Sequence, residues 1–145
     1  MVSLSFGFLA GGIGGMVMAL LIHIAPLISV HGKRLPDIDS HYLLNRRFSH
    51  RETHLLGILI QLALSSIFGA LYVFLVDKGW LFHDFHYISI LFYGMLVWLV
   101  KGLVITPLLG IGFFGIKQGK LVWFEMFLVH QIYAFMFWLA IHLYV

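Results

Sequence analysis

Four polar or ionisable residues stand inside apolar stretches in the second half of this sequence: Lys101, Glu125, His130 and Gln131. The surrounding stretches approach or exceed the ~20 apolar residues that a helix needs to cross a bilayer. An ionisable group in hydrocarbon is costly, so such groups usually face the interior of a helix bundle and pair with one another. We therefore expect these side chains to point towards other helices.

Depth within the bilayer brings two of these residues together. With a rise of ~1.5 Å per residue, Lys101 lies roughly 8 Å from the expected end of its span at Thr106, and Glu125 lies roughly 6 Å inside the next span. The two spans are antiparallel neighbours, so the sequence predicts an intramembrane Lys101–Glu125 pair. The alternative is that Lys101 reaches the headgroups by itself and Glu125 reaches the surface.

Three histidines, His23, His54 and His130, fall on different spans in the same half of the bilayer. Facing helices in a bundle build metal and cofactor sites in this way, and a b-type haem needs axial ligands of this kind. The same residues could relay protons. The favoured interpretation is structural, with each imidazole bonded to a backbone carbonyl or a serine of a neighbouring helix, so we expect no cofactor, with haem b as the alternative.

Other patterns give little support for metal binding or catalysis. His50 and His54 have ligand-compatible spacing, as do His83 and His86, but neither pair has a fixed third ligand. The chain has no cysteine, which excludes disulfides, thiolate metal sites and iron–sulfur clusters. We find no serine–histidine–acid arrangement, phosphate-binding glycine loop or pair of carboxylates. No metal site or catalytic residue is predicted, and an enzymatic role is left open but not favoured.

Composition defines the class of protein. Hydrophobic residues make up 61% and charged residues 10% of the chain, against roughly 45–50% and 25% in a soluble domain. The 145 residues are expected to form one all-α domain, an integral membrane four-helix bundle. The net charge of +3 does not indicate nucleic acid here, because the basic residues stand between apolar segments and are typical of the positive-inside bias.

The expected spans are about 4–30, 55–76, 87–106 and 121–145. The basic loop 31–54 carries five Lys/Arg, which lie within 33–51 and are expected to contact anionic lipid. The second loop carries one Lys/Arg and the third carries two, so the first and third loops are expected in the cytoplasm and both termini on the other side.

Segment 107–116 is too short to cross and is left as a re-entrant turn, an interfacial turn or an apolar loop. Ser49 and Glu52 form a capping box, which predicts a helix start near His50.

Small residues recur every four positions in the first two spans. One stripe is Gly7, Gly11 and Gly15, and the other is Gly57, Gln61, Ser65 and Gly69. Residues with this spacing share one helix face, and small residues there let two backbones approach closely. The two stripes are predicted to pack together.

Motifs in all four spans resemble those of small bacterial inner-membrane proteins of the YagU-like kind. The motifs are Gly11-Gly12-Ile13-Gly14-Gly15, the second span from His54 through Ser65-Ser66 to Gly69 and Tyr72, the third from Tyr93-Gly94 to Pro107 and Gly110, and His130-Gln131-Ile132-Tyr133. The resemblance covers the spans but not the basic loop, and Ala134 stands where such proteins often have glycine. It implies a compact four-helix protein of the bacterial inner membrane, and it carries no reaction or catalytic residue.

Three functions are consistent with this pattern. The favoured one is a non-catalytic accessory or structural subunit of a larger membrane complex, with other membrane subunits and lipid as partners. The second is a small oligomeric transporter or channel using Lys101, Glu125, His130 and Gln61. The third is a b-type haem electron-transfer protein using two of the three histidines named above.

Overall fold

The architecture comes from a computed structural model, which describes residues 2–28, 50–81, 85–108, 110–117 and 119–144. The described part of the chain is all-helical, and its four long helices are α1 (Leu4–Ile28), α2 (His50–Asp77), α3 (Tyr87–Val100) and α4 (Val122–Tyr144). After α3 the chain continues through a π-helical turn, Lys101–Ile105, into a last α-helical turn, Thr106–Leu108. A short 3₁₀ helix, Phe113–Gly115, precedes α4. Most of the predicted basic loop, including the capping residue Ser49, lies outside the described residues.

Within the described ranges, four segments are long and apolar enough to cross a membrane: Leu4–Leu21, Leu55–Asp77, Tyr87–Leu108 and Val122–Leu143. The prediction of an all-α, multi-pass membrane protein is therefore confirmed. Helix α2 begins at His50, where the capping sequence places a helix start. The third span runs past Pro107 to Leu108, because the π-helical turn and the following α-helical turn carry the helix through the proline.

Helix α1 packs against both α2 and α4, and α3 packs against α4. The contact between α1 and α2 is the closest, because glycines on both helices leave the backbones in direct contact. A methyl group added at Gly11 would lie 2.9 Å from the Cα atom of Gly69, and one added at Gly7 would lie 2.9 Å from the carbonyl oxygen of Gly69. The glycine stripe of α1 thus lies against Gly69 and Ser65 of α2.

Tyrosine hydroxyls connect α2 to α3 near the loop that joins them. The hydroxyl of Tyr72 lies 2.8 Å from that of Ser89, and Tyr93 donates to the carbonyl oxygen of Phe68 over 2.8 Å. The Tyr72 ring also meets the ring of Phe137 edge to face, with centroids 5.6 Å apart. A tyrosine fits an apolar interior only where its hydroxyl finds a partner, so these bonds fix how the helices are arranged at this end of the bundle.

Candidate functional site

Outside the two packing stripes, His130 is the most deeply buried predicted site residue whose side chain is described. Its side chain is 5% exposed, and its Nδ1 donates a hydrogen bond of 2.7 Å to the carbonyl oxygen of Met126, one turn earlier on α4. The sequence predicts a bond to a neighbouring helix, whereas the partner belongs to the same helix. Because a carbonyl oxygen can only accept a hydrogen bond, Nδ1 carries the proton. Nε2 is therefore the nitrogen that could accept a proton or bind an iron atom.

Lys101 lies at the first position of the π-helical turn and is half-buried. Glu125 is half-buried in the first turn of α4. Lys101 follows directly after α3, and His130 lies on α4, the helix that packs against α3. The Lys101–Glu125 pair stays a prediction.

A second polar group forms near the middle of the bundle, and we call it the mid-bundle cluster: Met18, Gln61, Ser65 and Tyr133. Gln61 Nε2 lies 3.1 Å from Met18 Sδ and donates to Ser65 Oγ over 3.4 Å. The Tyr133 hydroxyl donates to the backbone carbonyl oxygen of Ser65 over 2.8 Å. The four-residue spacing predicts Gln61 and Ser65 as part of a packing stripe, but Tyr133 and Met18 were not predicted as their partners. The signal for Tyr133 was a hydroxyl in the middle of an apolar span, which needs an acceptor.

The π-helical turn has a local cause in the residues that follow it. The backbone N–H of Thr106 bonds to the carbonyl of Lys101, five residues back instead of four. The carbonyl of Gly102 then lacks its usual donor, and Pro107, the next residue in line, has no N–H. The Thr106 hydroxyl supplies the missing donor over 2.8 Å to Gly102, and Thr106 is completely buried. Single π turns inside α-helices are frequent at functional sites.

The segment after this turn folds back onto the end of α3. We call Gly110–Lys117 the plug segment. Its Phe114 ring packs against Trp98, with centroids 4.8 Å apart, and fills the space beside Gly102 that a Cβ atom would need. Ile111 is buried as well. The described residues of this segment thus form a compact turn that closes the end of the α3–α4 seam, and its position relative to the bilayer stays a prediction.

Some predicted site residues are not placed by the described structure. The side chains of His23, His50 and His54 lie outside it, as does His83. Among the side chains that are described, no group of three or more His, Asp or Glu residues could hold a metal ion. Gln131, next to His130, has a buried Nε2 atom with no hydrogen-bond partner within the described part of the chain.

Comparison with known proteins adds no constraint on function. No family model, curated protein or solved structure matches this chain.

Proposed function

We propose that this chain is a non-catalytic, membrane-embedded accessory subunit of a larger membrane protein complex. The observation that supports it is where the buried polar groups make their bonds. Tyr93, Tyr133, Thr106 and His130 each donate to a backbone carbonyl of the bundle itself. Tyr93 and Tyr133 donate to carbonyls of α2 and so join neighbouring helices, and Thr106 and His130 bond within their own helices. All four groups are therefore used inside the bundle.

The exposed apolar surface of the bundle also supports the proposal. Large apolar side chains on the outer faces of α1 and α2 are more than half exposed, such as Leu9 at 63% and Ile67 at 54%. A bundle whose interior groups bond to one another acts on other molecules mainly through this lateral surface. In a membrane, the molecules that meet such a surface are lipids and the helices of other membrane proteins.

The location of the chain is part of the proposal. We place it in a bacterial inner membrane, with both termini on the non-cytoplasmic side and the basic loop against anionic lipid on the cytoplasmic side. Because the chain has no cysteine, single cysteines test this directly in intact cells. A membrane-impermeant thiol reagent should label Ser3→Cys, and Lys33→Cys should react only after the cells are opened. The reverse pattern would overturn the orientation.

The test of the subunit proposal is the mass and protein content of the native particle. Tagged protein is extracted in a mild detergent, and the particle is sized and its subunits are identified. An unrelated four-span protein with the same tag serves as the background control. The proposal predicts a particle much larger than 16.6 kDa plus detergent, with other subunits in fixed ratio. A particle holding only this chain, alone or as a homo-oligomer, would refute it.

A second candidate is a small transporter, and two ionisable residues on packed segments favour it: Lys101 in the π-helical turn after α3 and the buried His130 on α4. An ionisable group at this depth is by default a functional hypothesis. In proteoliposomes, Lys101→Met should abolish flux across the membrane while the protein still assembles. Lys101→Arg keeps the positive charge and should retain part of that flux. Equal flux in the original protein and both variants would exclude a role for the lysine.

The haem alternative uses two of His23, His54 and His130. His130 would bind iron through Nε2, because Nδ1 is already held by the Met126 carbonyl in the manner of a ligating histidine fixed by an outer hydrogen bond. Protein purified from haem-supplemented cells should then show a Soret band, and His130→Ala should remove it if His130 is one of the two ligands. An absorption spectrum without that band would exclude this alternative.

A further inference from the structure

We propose that the plug segment, Gly110–Lys117, is a movable closure of the α3–α4 seam, and that the structure shows its closed form. Release of the Phe114 ring from the space beside Gly102 would expose the seam to water at this end of the bundle. The proposal concerns a motion of the chain and does not depend on which function the protein has.

The closed form has one unfavourable feature, and it lies at Phe114. This residue has φ 52° and ψ 22°, the left-handed region that a residue with a side chain avoids. It is the one non-glycine residue with positive φ in the described part of the chain. The backbone therefore opposes the position that the Phe114 ring occupies, and strain of this kind persists only where surrounding contacts enforce it.

The contacts that enforce it are made by the ring and by two residues of α3. The ring lies against Trp98 and occupies the site of the missing Gly102 side chain. Trp98 is held in turn, because its indole N–H donates to the carbonyl oxygen of Trp123 on α4 over 3.3 Å. Aromatic packing thus competes with backbone strain at one residue, which makes the closed form dependent on a single side chain.

The ends of the plug segment are built to bend. Gly110, Gly112 and Gly115 all have positive φ, between 71° and 79°, and the Cβ position of Gly110 faces open space. Among the described residues, two backbone bonds tie the segment to the preceding helical turn: Gly110 N–H donates to the Pro107 carbonyl oxygen over 2.9 Å, and Ile111 N–H donates to the Thr106 carbonyl oxygen over 3.1 Å. The bond of 3.2 Å from the Lys117 ammonium to the Gly110 carbonyl oxygen lies within the segment, so it can persist when the segment moves as a unit.

Met126 reports on the seam beneath the plug segment. It is 3% exposed, and its sulfur lies 3.7 Å from the Cβ position of Gly115. Because the chain has no cysteine, Met126→Cys gives a single thiol whose reaction with a charged, water-soluble thiol reagent measures opening. Ile90→Cys, completely buried near the other end of the bundle, is the matched reporter for loosening of the whole fold.

With Phe114 present, Met126→Cys should react slowly, at a rate that levels off as reagent concentration rises, because opening then limits the reaction. Phe114→Ala should raise its rate at low reagent concentration by about tenfold or more, because it removes the ring and keeps the left-handed backbone that opposes the closed form. Gly102→Ala should do the same with the ring still present, because the added methyl group takes its place. Phe113→Ala is the matched control, since Phe113 is the neighbouring residue and is 60% exposed, and it should leave the rate unchanged.

Three results would overturn the proposal. If Met126→Cys is as unreactive as Ile90→Cys, the plug segment does not move. If neither Phe114→Ala nor Gly102→Ala changes the rate, the ring does not hold the closed form. If Ile90→Cys becomes reactive in the same variants, Phe114 supports the whole bundle and not a local closure.

Discussion

The contact between α1 and α2 makes a quantitative prediction about two adjacent glycines. A methyl group at Gly11 would lie 2.9 Å from Gly69 Cα and 3.1 Å from Gly69 N, whereas carbon atoms normally meet at about 3.5–4.0 Å. Since the obstructing atoms are backbone, the helices themselves have to separate by about 0.6 Å or more to restore that distance. At Gly12 the nearest atom is the Ser66 hydroxyl oxygen at 2.9 Å, which can rotate away.

Both substitutions to alanine gain helix propensity, by about 1 kcal/mol. Overpacking at Gly11 costs about 1–3 kcal/mol, and we expect the upper part of that range because no side chain can move aside. Gly11→Ala should therefore lower the free energy of unfolding by about 1–2 kcal/mol, and Gly12→Ala should leave it unchanged or raise it by up to about 1 kcal/mol.

The measurement is reversible unfolding in mixed micelles of rising SDS fraction, followed by tryptophan fluorescence. The two glycines are adjacent on one helix, so both substitutions change helix propensity by the same amount. The difference between their free energies of unfolding therefore isolates the effect of the backbone contact. If the two variants unfold at the same SDS fraction, or if Gly12→Ala is the less stable of the two, close backbone contact at Gly69 does not hold α1 against α2.

Three further predictions use the same unfolding measurement. Tyr133→Phe removes the bond to the Ser65 carbonyl and should cost about 0.6 kcal/mol, the average for such bonds in a membrane; no change would show that this bond contributes nothing to stability. Thr106→Val leaves the Gly102 carbonyl without its hydroxyl donor and should cost about 1 kcal/mol or more, while Thr106→Ser should keep most of the stability; equal losses would show that packing and not the hydroxyl matters. Gln131→Met removes a buried donor that has no partner in the described structure and should stabilise the protein by about 1 kcal/mol, so a loss of stability would reveal a partner for that amide.

The helices and the α1–α2 contact could be predicted because their signals are local. An uninterrupted apolar run has few alternatives to a membrane helix, since every backbone polar group needs a partner in lipid. Small residues four apart, such as Gly7 and Gly11, lie on one face whatever the rest of the chain does. Which helix packs against which is harder to predict from local signals. For α1 the partner could be predicted, because α2 carries the matching stripe of small residues.

The region after α3 was only partly predictable. The π-helical turn has a local cause, because Thr106 and Pro107 stand side by side in the sequence and in retrospect account for it. The left-handed backbone of Phe114 has no local signal, because it follows from the space at Gly102 and the ring of Trp98. For His130 the burial was predictable, whereas the choice of Met126 as partner depends on a side-chain torsion that periodicity does not report.

The two ends of the bundle use polar groups of different kinds. Near the α2–α3 loop the buried groups are neutral hydroxyls, as at Tyr72 and Tyr93, and their bonds are made inside the bundle; the ionisable residues at this end, such as Asp77 and Lys78, are exposed. Near the α3–α4 connection the helices themselves carry ionisable groups, Lys101 and His130, and charge in a bilayer requires a counter-charge, water or a headgroup. The transporter hypothesis, which uses charge inside the bundle, therefore belongs to the α3–α4 end. Under that hypothesis Tyr93→Phe should change stability and leave flux intact, and Lys101→Met should abolish flux with little change in stability. A Tyr93→Phe protein that stays stable and yet loses its partners or its flux would show that this division between the two ends is wrong.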